Sequence, residues 1–173
     1  MLRSTKVWKR FLAGSCFLSV LLSCTTSRSR HSVESPSPQE VFQNDKIVFL
    51  WPVKNPRVLN FYGWRGKRRM HDGIDIKAQT GDPILASETG RVVHADWIRG
   101  YGRCVILSHG NAWYSLYAHL SKIKVKQGFI VPQQAVVGLA GRSGNASGTH
   151  LHFEIRKNAD PLDPMLFLPK EMP

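Results

Sequence analysis

The feature that most constrains this chain is a run of six residues, His150 to Ile155, in which polar and apolar side chains alternate. The polar residues are His150, His152 and Glu154, and the apolar residues are Leu151, Phe153 and Ile155. Alternation with a period of two predicts a half-buried β-strand, in which residues i and i+2 point to the same face. The apolar face can enter a core while two imidazoles lie side by side on the other. Because imidazole contributes little to packing, this pair indicates metal ligation or proton transfer.

The start of the chain predicts export. Basic residues precede an apolar stretch from Phe11 to Leu22, which is short for a membrane span. The stretch ends in Leu21-Leu22-Ser23-Cys24, which resembles the lipobox of bacterial lipoproteins. We therefore expect a signal peptide over residues 1–23 and lipidation of Cys24. An uncleaved N-terminal anchor is the alternative, and both interpretations predict an exported, membrane-anchored protein that faces the periplasm.

The rest of the chain divides by composition. Residues 24–46 are rich in Ser, Pro, Arg, Gln and Glu and nearly without apolar side chains, which predicts a disordered tether. Residues 47–173 are long enough for one domain with its own core. Cys104 is the only cysteine in this part and has no partner there for a disulfide, so we expect it to be buried in a strand.

The net charge bears on the partner. The formal charge is +12, and without the four basic residues of the signal region it is about +8. A basic excess attracts nucleic acid, anionic lipid or an acidic polymer. Export makes nucleic acid the least expected of the three, whereas a cell wall whose peptides carry free carboxylates fits the charge.

Short apolar runs separated by glycine-containing turns predict an all-β fold. The runs cover residues 47–50, 74–76, 83–86, 91–93, 104–107, 113–120 and 136–138. No window shows a helical period longer than about two turns. We therefore expect antiparallel sheets in a sandwich or barrel-like arrangement. Two similar hairpins, near residues 81–93 and 128–138, form a weak internal repeat.

A second polar cluster precedes the predicted strand from His150 to Ile155 in the sequence. If the segment from Met70 to Ile76 is extended, His71, Gly73 and Asp75 share one face, and Gly73 leaves open volume for a metal ion. His71, Asp75 and His152 then make a two-histidine, one-carboxylate site with a position open for water, as in catalytic zinc sites. The alternative is a turn closed by an aspartate, with an exposed histidine.

A third cluster lies in the run from Trp113 to Leu120. Alternation predicts that Tyr117 and His119 share a face, opposite Leu116, Ala118 and Leu120. If neighbouring strands bring His119 and His150 to one groove, one imidazole can take a proton from a metal-bound water and the other can donate to the oxyanion.

Other polar residues have less specific interpretations. Glu154 shares a face with His152, so it either orients that imidazole or forms an ordinary salt bridge. We expect no direct role for His31, His94 or His109, which lie in the tether, in a strand and before a glycine turn.

Together these residues resemble the lysostaphin-type, or LytM-domain, zinc metallopeptidases, which cut peptide bonds in bacterial peptidoglycan. The resemblance runs from about Phe61 to Ile155. Its motifs are Tyr62-Gly63-Trp64-Arg65, His71-Asp72-Gly73-Ile74-Asp75, Tyr117-Ala118-His119-Leu120 and Gly148-Thr149-His150-Leu151-His152-Phe153-Glu154. It implies that His71, Asp75 and His152 bind one zinc ion and that His119 and His150 are the catalytic pair. It also implies a β-sheet groove of the duplicated hybrid motif type. Two departures are Gln133-Gln134, where a glycine turn is common, and Thr149, where proline is common.

The expected function is zinc-dependent hydrolysis of peptide cross-links or stem peptides of peptidoglycan. We expect Tyr117, Arg65 and Arg69 to contact the substrate. Arg65, Lys67, Arg68 and Arg69 form either a groove rim that attracts acidic stem peptides or a solvated basic loop.

Two other functions compete with hydrolysis. Regulators of the same family have lost ligand or catalytic residues and switch on cell-wall amidases, so the alternative is a non-hydrolytic activator with a regulatory or amidase partner. All five positions are filled here, which disfavours that function. A non-haem iron oxygenase also uses two histidines and a carboxylate, but the carboxylate of the expected ligand set, Asp75, is four residues from His71 and lacks the close His-x-Asp/Glu spacing of such sites.

Overall fold

The structure is a computed structural model that describes residues 47–66 and 69–170, without the side chains of Arg65 and Arg69. The predicted signal peptide, Cys24 and the whole predicted tether lie outside the described residues, as do Lys67 and Arg68. Within the described ranges, no helix has both the length and the apolar character needed to cross a membrane.

The described chain is built of short β-strands joined by turns. The strands are β1 (Val58–Asn60), β2 (Gly63–Arg65), β3 (Arg69–His71), β4 (Ile74–Lys77), β5 (Pro83–Leu85), β6 (Gly90–Ile98), β7 (Gly102–Ser108), β8 (Trp113–Leu120), β9 (Lys122–Ile123), β10 (Ile130–Val131), β11 (Val136–Leu139), β12 (His150–Lys157) and β13 (Asp160–Leu162). A 3-10 helix, Pro164–Leu166, follows β13. Residues 47–66 and 69–170 contain no α-helix, and the predicted all-β class is confirmed.

The strands form antiparallel sheets. The main sheet has the order β1-β4-β12-β8-β7-β6-β10, and β13 pairs with β12. A second sheet has the order β5-β11-β9, and β2 and β3 form a separate hairpin. The main sheet ends at β1 and β10 and does not close into a barrel.

The hydrophobic core lies against one face of the main sheet. Leu151, Phe153 and Ile155 of β12 are fully buried there. Ile84 of β5 and Val137 of β11 belong to the same core, so the two sheets pack on each other as a sandwich. Because side chains alternate along β12, its polar residues lie on the opposite face of the main sheet.

The segment before β1 departs from the predicted strand pattern. Ile47 to Leu50 forms no strand, although Phe49 is buried. Side chains and one loop carbonyl, rather than a neighbouring strand, bind its backbone. The N–H of Val48 donates to Glu88, its carbonyl accepts from Gln133, and the N–H of Leu50 donates to the carbonyl of Ser87. The apolar run correctly predicts burial here, but it does not determine whether the segment pairs with a neighbouring strand.

A buried polar relay crosses the core beside this segment. Nδ1 of His109 lies 2.8 Å from the carbonyl of Thr89, so it carries a proton and leaves Nε2 to accept from the Ser115 hydroxyl at 2.8 Å. The hydroxyls of Ser115 and Tyr117 are 2.9 Å apart, and that of Tyr117 accepts from the N–H of Ser87. Burial lowers the pKa of His109 to about 4, so the imidazole is neutral and structural.

Candidate metal centre

Three strands bring the predicted ligands together. His71 ends β3, and Asp75 of β4 lies directly opposite His152 of β12 in the sheet register. Nε2 of His71 is 3.0 Å from Oδ1 of Asp75 and 3.1 Å from Nδ1 of His152. The last two atoms are 2.9 Å apart. Two imidazole nitrogens and one carboxylate oxygen therefore converge on one point.

The spacing of these atoms suits a small divalent ion. Tetrahedral zinc with nitrogen and oxygen ligands at about 2.0–2.2 Å separates neighbouring ligand atoms by about 3.3 Å. The observed separations of 2.9, 3.0 and 3.1 Å are slightly shorter. The three residues therefore fit a metal ion after shifts of a few tenths of an ångström.

The outer atom of each imidazole is already occupied. Nδ1 of His71 lies 2.8 Å from the carbonyl of Phe61, which only accepts, so Nδ1 is the protonated nitrogen. Nε2 of His152 lies 2.9 Å from Oε1 of the buried Glu154. These bonds direct Nε2 of His71 and Nδ1 of His152 toward the cluster, as outer partners of metal-binding histidines do.

The third candidate ligand, Asp75, is held in the same way. Its Oδ2 accepts from the Asn60 amide at 3.0 Å, which leaves Oδ1 for the cluster. Burial opposes ionisation of Asp75, but hydrogen bonds with His152 and His71 hold its pKa well below the usual range. Burial also lowers the pKa of His152, but bonds to Asp75 and Glu154 outweigh it and raise that pKa to about 9. The two shifts favour an ionised carboxylate beside a cationic imidazole.

A second pair of histidines lies beside the cluster. The rings of His119 and His150 have centroids 4.8 Å apart. Their Nδ1 atoms lie 2.8 and 2.9 Å from the carbonyls of Ser143 and Gly148. Both Nε2 atoms are thus left to accept a proton, and that of His150 is 3.6 Å from Oδ1 of Asp75. Burial lowers the pKa of His119 to about 4.

The prediction that Tyr117 shares a face with His119 is wrong. Tyr117 has no exposed surface, and its ring packs 5.4 Å from that of Phe153 in the core. His119 reaches the other face because its φ of 62° breaks the regular alternation of β8. A fully buried phenol does not contact a substrate, so the predicted substrate-binding role of Tyr117 is not supported. Arg65 and Arg69 pair in β2 and β3 just before His71, but their side chains lie outside the described part of the structure.

Gly73 has a different role from the one predicted. A Cβ atom on Gly73 would lie 2.1 Å from the carbonyl oxygen of Phe153 and 2.8 Å from Cγ of Glu154. The glycine therefore leaves no open volume for a metal ion. It allows the backbone of β12 to approach the ligand-bearing turn, the usual reason for a glycine at a strand contact.

Two residues of the site, Tyr101 and Arg156, were not identified from the sequence. Oε1 of Glu154 accepts from the Tyr101 hydroxyl at 2.7 Å, and Oε2 accepts from Nε of Arg156 at 2.6 Å. Arg156 also binds Asp72 at 3.1 Å. Glu154 therefore both contacts an imidazole and forms a salt bridge. Burial opposes its ionisation, but Arg156 and His152 hold its pKa at about 2.

The sequence pattern indicates one of these residues but not the other. Arg156 continues the polar alternation of His150, His152 and Glu154, and extending that pattern by one step would have found it. Tyr101 lies in a glycine turn, where no periodicity indicates what a side chain contacts.

The two histidine sets lie in an open groove with a volume of about 600 Å³. Its lining includes Leu59 and Asn60 of β1 and Tyr101. The loop from Asn145 to Thr149 lines it as well. The predicted open groove is therefore present, with both sets of histidines among its lining residues.

Comparisons with known proteins agree with this geometry. Residues 69–164 match Peptidase family M23. The chain is 39% identical over 119 residues to the DD-carboxypeptidase/endopeptidase Mpg of Neisseria meningitidis serogroup B, covering 66% of this chain and 27% of Mpg. It is 35% identical over 159 residues to the murein hydrolase activator NlpD of Salmonella typhimurium, covering 91% of this chain and 40% of NlpD. The lipoprotein YgeR of Escherichia coli is 32% identical over 173 residues, covering 96% of this chain and 67% of YgeR. The chain thus spans less than half the length of Mpg and NlpD.

Solved structures show the same fold. The catalytic domain of the antimicrobial peptidase lysostaphin from Staphylococcus simulans superposes with a TM-score of 0.60 and 31% identity, covering 65% of this chain and 91% of that domain. A zinc-containing peptidase from Vibrio cholerae superposes with a TM-score of 0.65 and 27% identity, covering 73% of this chain and 41% of that one.

Proposed function

The chain belongs to peptidase family M23, and from this premise we propose that it is a zinc-dependent endopeptidase that hydrolyses peptide cross-links or stem peptides of bacterial peptidoglycan. The observation that carries the proposal is the convergence of His71, Asp75 and His152 within 3.1 Å, beside His119 and His150. Relatives and structural neighbours named as peptidases support it.

The cofactor follows from the chemistry of the ligand set. His71 through Nε2, Asp75 through Oδ1 and His152 through Nδ1 would hold one zinc ion, for which two nitrogens and one oxygen are a suitable set. When bound, zinc polarises a carbonyl and lowers the pKa of water from about 15.7 toward 7. The zinc-containing peptidase from Vibrio cholerae supports this choice of metal.

The second pair of histidines would move the protons. Because Ser143 and Gly148 hold the Nδ1–H groups, Nε2 of His119 and Nε2 of His150 face the groove as acceptors. One imidazole takes a proton from the attacking water and returns it to the leaving amine, so that one water is consumed for each peptide bond broken. The other, when protonated, donates a hydrogen bond to the developing oxyanion.

The substrate assignment rests on charge and on the open groove. Peptidoglycan stem peptides carry free carboxylates, and the chain has a basic excess. Arg65 and Arg69 flank the turn that precedes His71 and are proposed to form a basic rim at the groove. Long-range attraction of this kind raises the rate of encounter more than the affinity.

The location is part of the proposal. Cleavage before Cys24 and acylation of that cysteine would anchor the domain to a membrane on the tether of residues 24–46, facing the periplasm. The relative YgeR is named a lipoprotein, which supports this location. Nucleic acid is not a proposed partner.

A second candidate function is non-hydrolytic activation of a cell-wall amidase. It is favoured by the 35% identity to the murein hydrolase activator NlpD over 91% of this chain. The filled positions at His71, Asp75, His119, His150 and His152 favour hydrolysis instead. The two functions differ in what happens to peptidoglycan when the protein acts alone.

The test is incubation of the zinc-loaded protein with intact peptidoglycan, with and without a chelator, followed by mass analysis of the released fragments. We expect fragments with a new amine and a new carboxyl terminus, and none when the chelator is present. Release only after an amidase is added would support activation instead.

Matched variants separate the two sets of histidines. His152→Ala should lose stoichiometric zinc together with hydrolysis. His150→Ala should retain zinc and lose about 10²–10⁴-fold in rate, the usual range for a general acid–base group. Unchanged hydrolysis by His150→Ala would contradict the roles assigned here.

A further inference from the structure

The turn between β6 and β7 carries a tyrosine that contacts both halves of the site. The hydroxyl of Tyr101 lies 2.7 Å from Oε1 of Glu154, the same oxygen that lies 2.9 Å from Nε2 of His152. The backbone carbonyl of Tyr101 accepts from the N–H of His119 at 2.9 Å. Tyr101 is therefore one hydrogen bond from the catalytic pair and two from a metal ligand.

The Tyr101 hydroxyl is part of what fixes the carboxylate of Glu154. An ionised carboxylate only accepts, so Tyr101, His152 and Arg156 all donate to it. The terminal torsion of a glutamate has a broad energy minimum, so partners rather than a rotamer well determine its angle. Without the Tyr101 hydroxyl, the only remaining donor to Oε1 among these three is His152, and the carboxylate would no longer be held in a fixed position against that imidazole.

The other carboxylate oxygen is tied to the first ligand strand. Arg156 is almost fully buried and reaches from Oε2 of Glu154 to Asp72, the neighbour of His71 in the chain. Charge-assisted bonds of this kind are strong and directional. The network therefore extends from Tyr101 to the residue beside His71.

The turn itself is anchored to the loop that holds the catalytic pair. The carbonyl of Gly100 accepts from the N–H of Asn145 at 2.9 Å, and the N–H of Arg103 donates to the Ser143 hydroxyl at 2.9 Å. Ser143 also provides the carbonyl that binds Nδ1 of His119. Tyr101 thus extends from a turn whose backbone is bound to that loop.

We propose that Tyr101 is a positioning residue that couples the metal ligands to the catalytic pair. Its hydroxyl acts through Glu154 to set the angle of the His152 imidazole and hence the affinity for zinc, and its carbonyl holds His119 in the left-handed conformation. This inference rests on the proposed function, because it requires that the cluster binds zinc.

The test uses the full chain and two readouts that do not depend on hydrolysis. Zinc affinity is measured by competition with a chromophoric chelator, and the absorption spectrum of the cobalt-substituted protein reports the ligand geometry. Loss of an outer partner lowers metal affinity by about 10–100-fold. For Tyr101→Phe we expect about a tenfold loss of zinc affinity and an altered cobalt spectrum. The loss lies at the low end of the range because the hydroxyl acts on His152 through Glu154 rather than directly.

Tyr117→Phe is the matched control. It also removes a buried phenol hydroxyl, one that binds Ser87 and Ser115 away from the metal cluster. We expect it to lower the melting temperature but to leave the zinc affinity and cobalt spectrum unchanged. If Tyr101→Phe does not fold, Asp72→Asn loosens the same network from its other end and should show the same spectral change.

The outcomes distinguish this inference from the proposed function. Wild-type affinity and spectrum in Tyr101→Phe would refute the positioning role and leave the proposed function standing. An equal loss in Tyr117→Phe would also refute it, because the effect would then be one of general stability. A wild-type protein that binds no zinc would overturn both.

Discussion

Substituting Gly73 by alanine should destabilise the fold and disturb the cluster of candidate metal ligands together. The added Cβ would lie 2.1 Å from the carbonyl oxygen of Phe153 and 2.9 Å from its carbonyl carbon. Restoring an ordinary contact requires the two backbones to separate by about 1.3 Å. No side-chain rotation can supply this movement, because the shortest contact is with the carbonyl oxygen of Phe153, which belongs to the backbone of β12.

The loss of stability in Gly73→Ala follows from the contacts that are broken when the two backbones separate. Overpacking a well-packed site costs about 1–3 kcal/mol, occasionally more, and here no flexible side chain can absorb it. We therefore expect a loss of about 3 kcal/mol, which for a domain of this size lowers the melting temperature by about 10 °C. Gly73 lies between His71 and Asp75, and Asp75 faces His152 across β4 and β12. Metal–ligand distances vary by only about 0.2 Å, and a separation of about 1.3 Å is far larger than the shifts that the three ligands need, so zinc affinity should fall at least 100-fold.

The assay is thermal unfolding with and without excess zinc, with zinc affinity measured by chelator competition. Gly148→Ala is the matched control, because a Cβ atom there meets no atom within 4 Å and the backbone needs no positive φ. Its stability should change by less than about 1 kcal/mol. If Gly73→Ala kept both the stability and the zinc affinity of the wild type, the close approach of β12 to this turn would be wrong.

Three further predictions concern stability. Burial lowers the pKa of His109 from 6.5 to about 4. The contribution of the neutral imidazole to the free energy of unfolding is therefore complete above pH 6.5 and is lost as the pH falls toward 4. Measured by urea unfolding with chelator present, the stability advantage over His109→Gln should shrink by about 3 kcal/mol across that interval, and a constant difference would contradict the buried relay. His119 has a φ of 62°, so His119→Gly should be about 1 kcal/mol more stable than His119→Ala; the opposite order in denaturant melts would argue against the left-handed conformation. Zinc at a thousand times its dissociation constant should stabilise the wild type by about 4 kcal/mol and His152→Ala not at all, as calorimetry can show.

Much of this fold was readable because its strands follow a regular period. Alternation in β12 correctly placed Leu151, Phe153 and Ile155 in the core and His152 on the other face. Two predictions failed where alternation does not hold or does not apply. Ile47 to Leu50 is bound by side chains and by the Ser87 carbonyl rather than by a strand. Tyr117 lies in the core while His119 faces the groove, because β8 leaves its period at His119.

The failure at His119 follows from how such a site must be built. A regular strand would place Ala118 and His119 on opposite faces, so β8 alone cannot offer the imidazole to the face where His152 lies opposite Ala118. The positive φ solves this problem at a conformational cost of about 1–2 kcal/mol. Strain of this kind persists only where the surroundings hold it, and here the Tyr101 carbonyl binds the His119 N–H and the Ser143 carbonyl binds its ring. Both partners come from turns that are distant in sequence and carry no period. The residue most specific to the proposed catalytic geometry is therefore also the one whose placement local patterning could not predict.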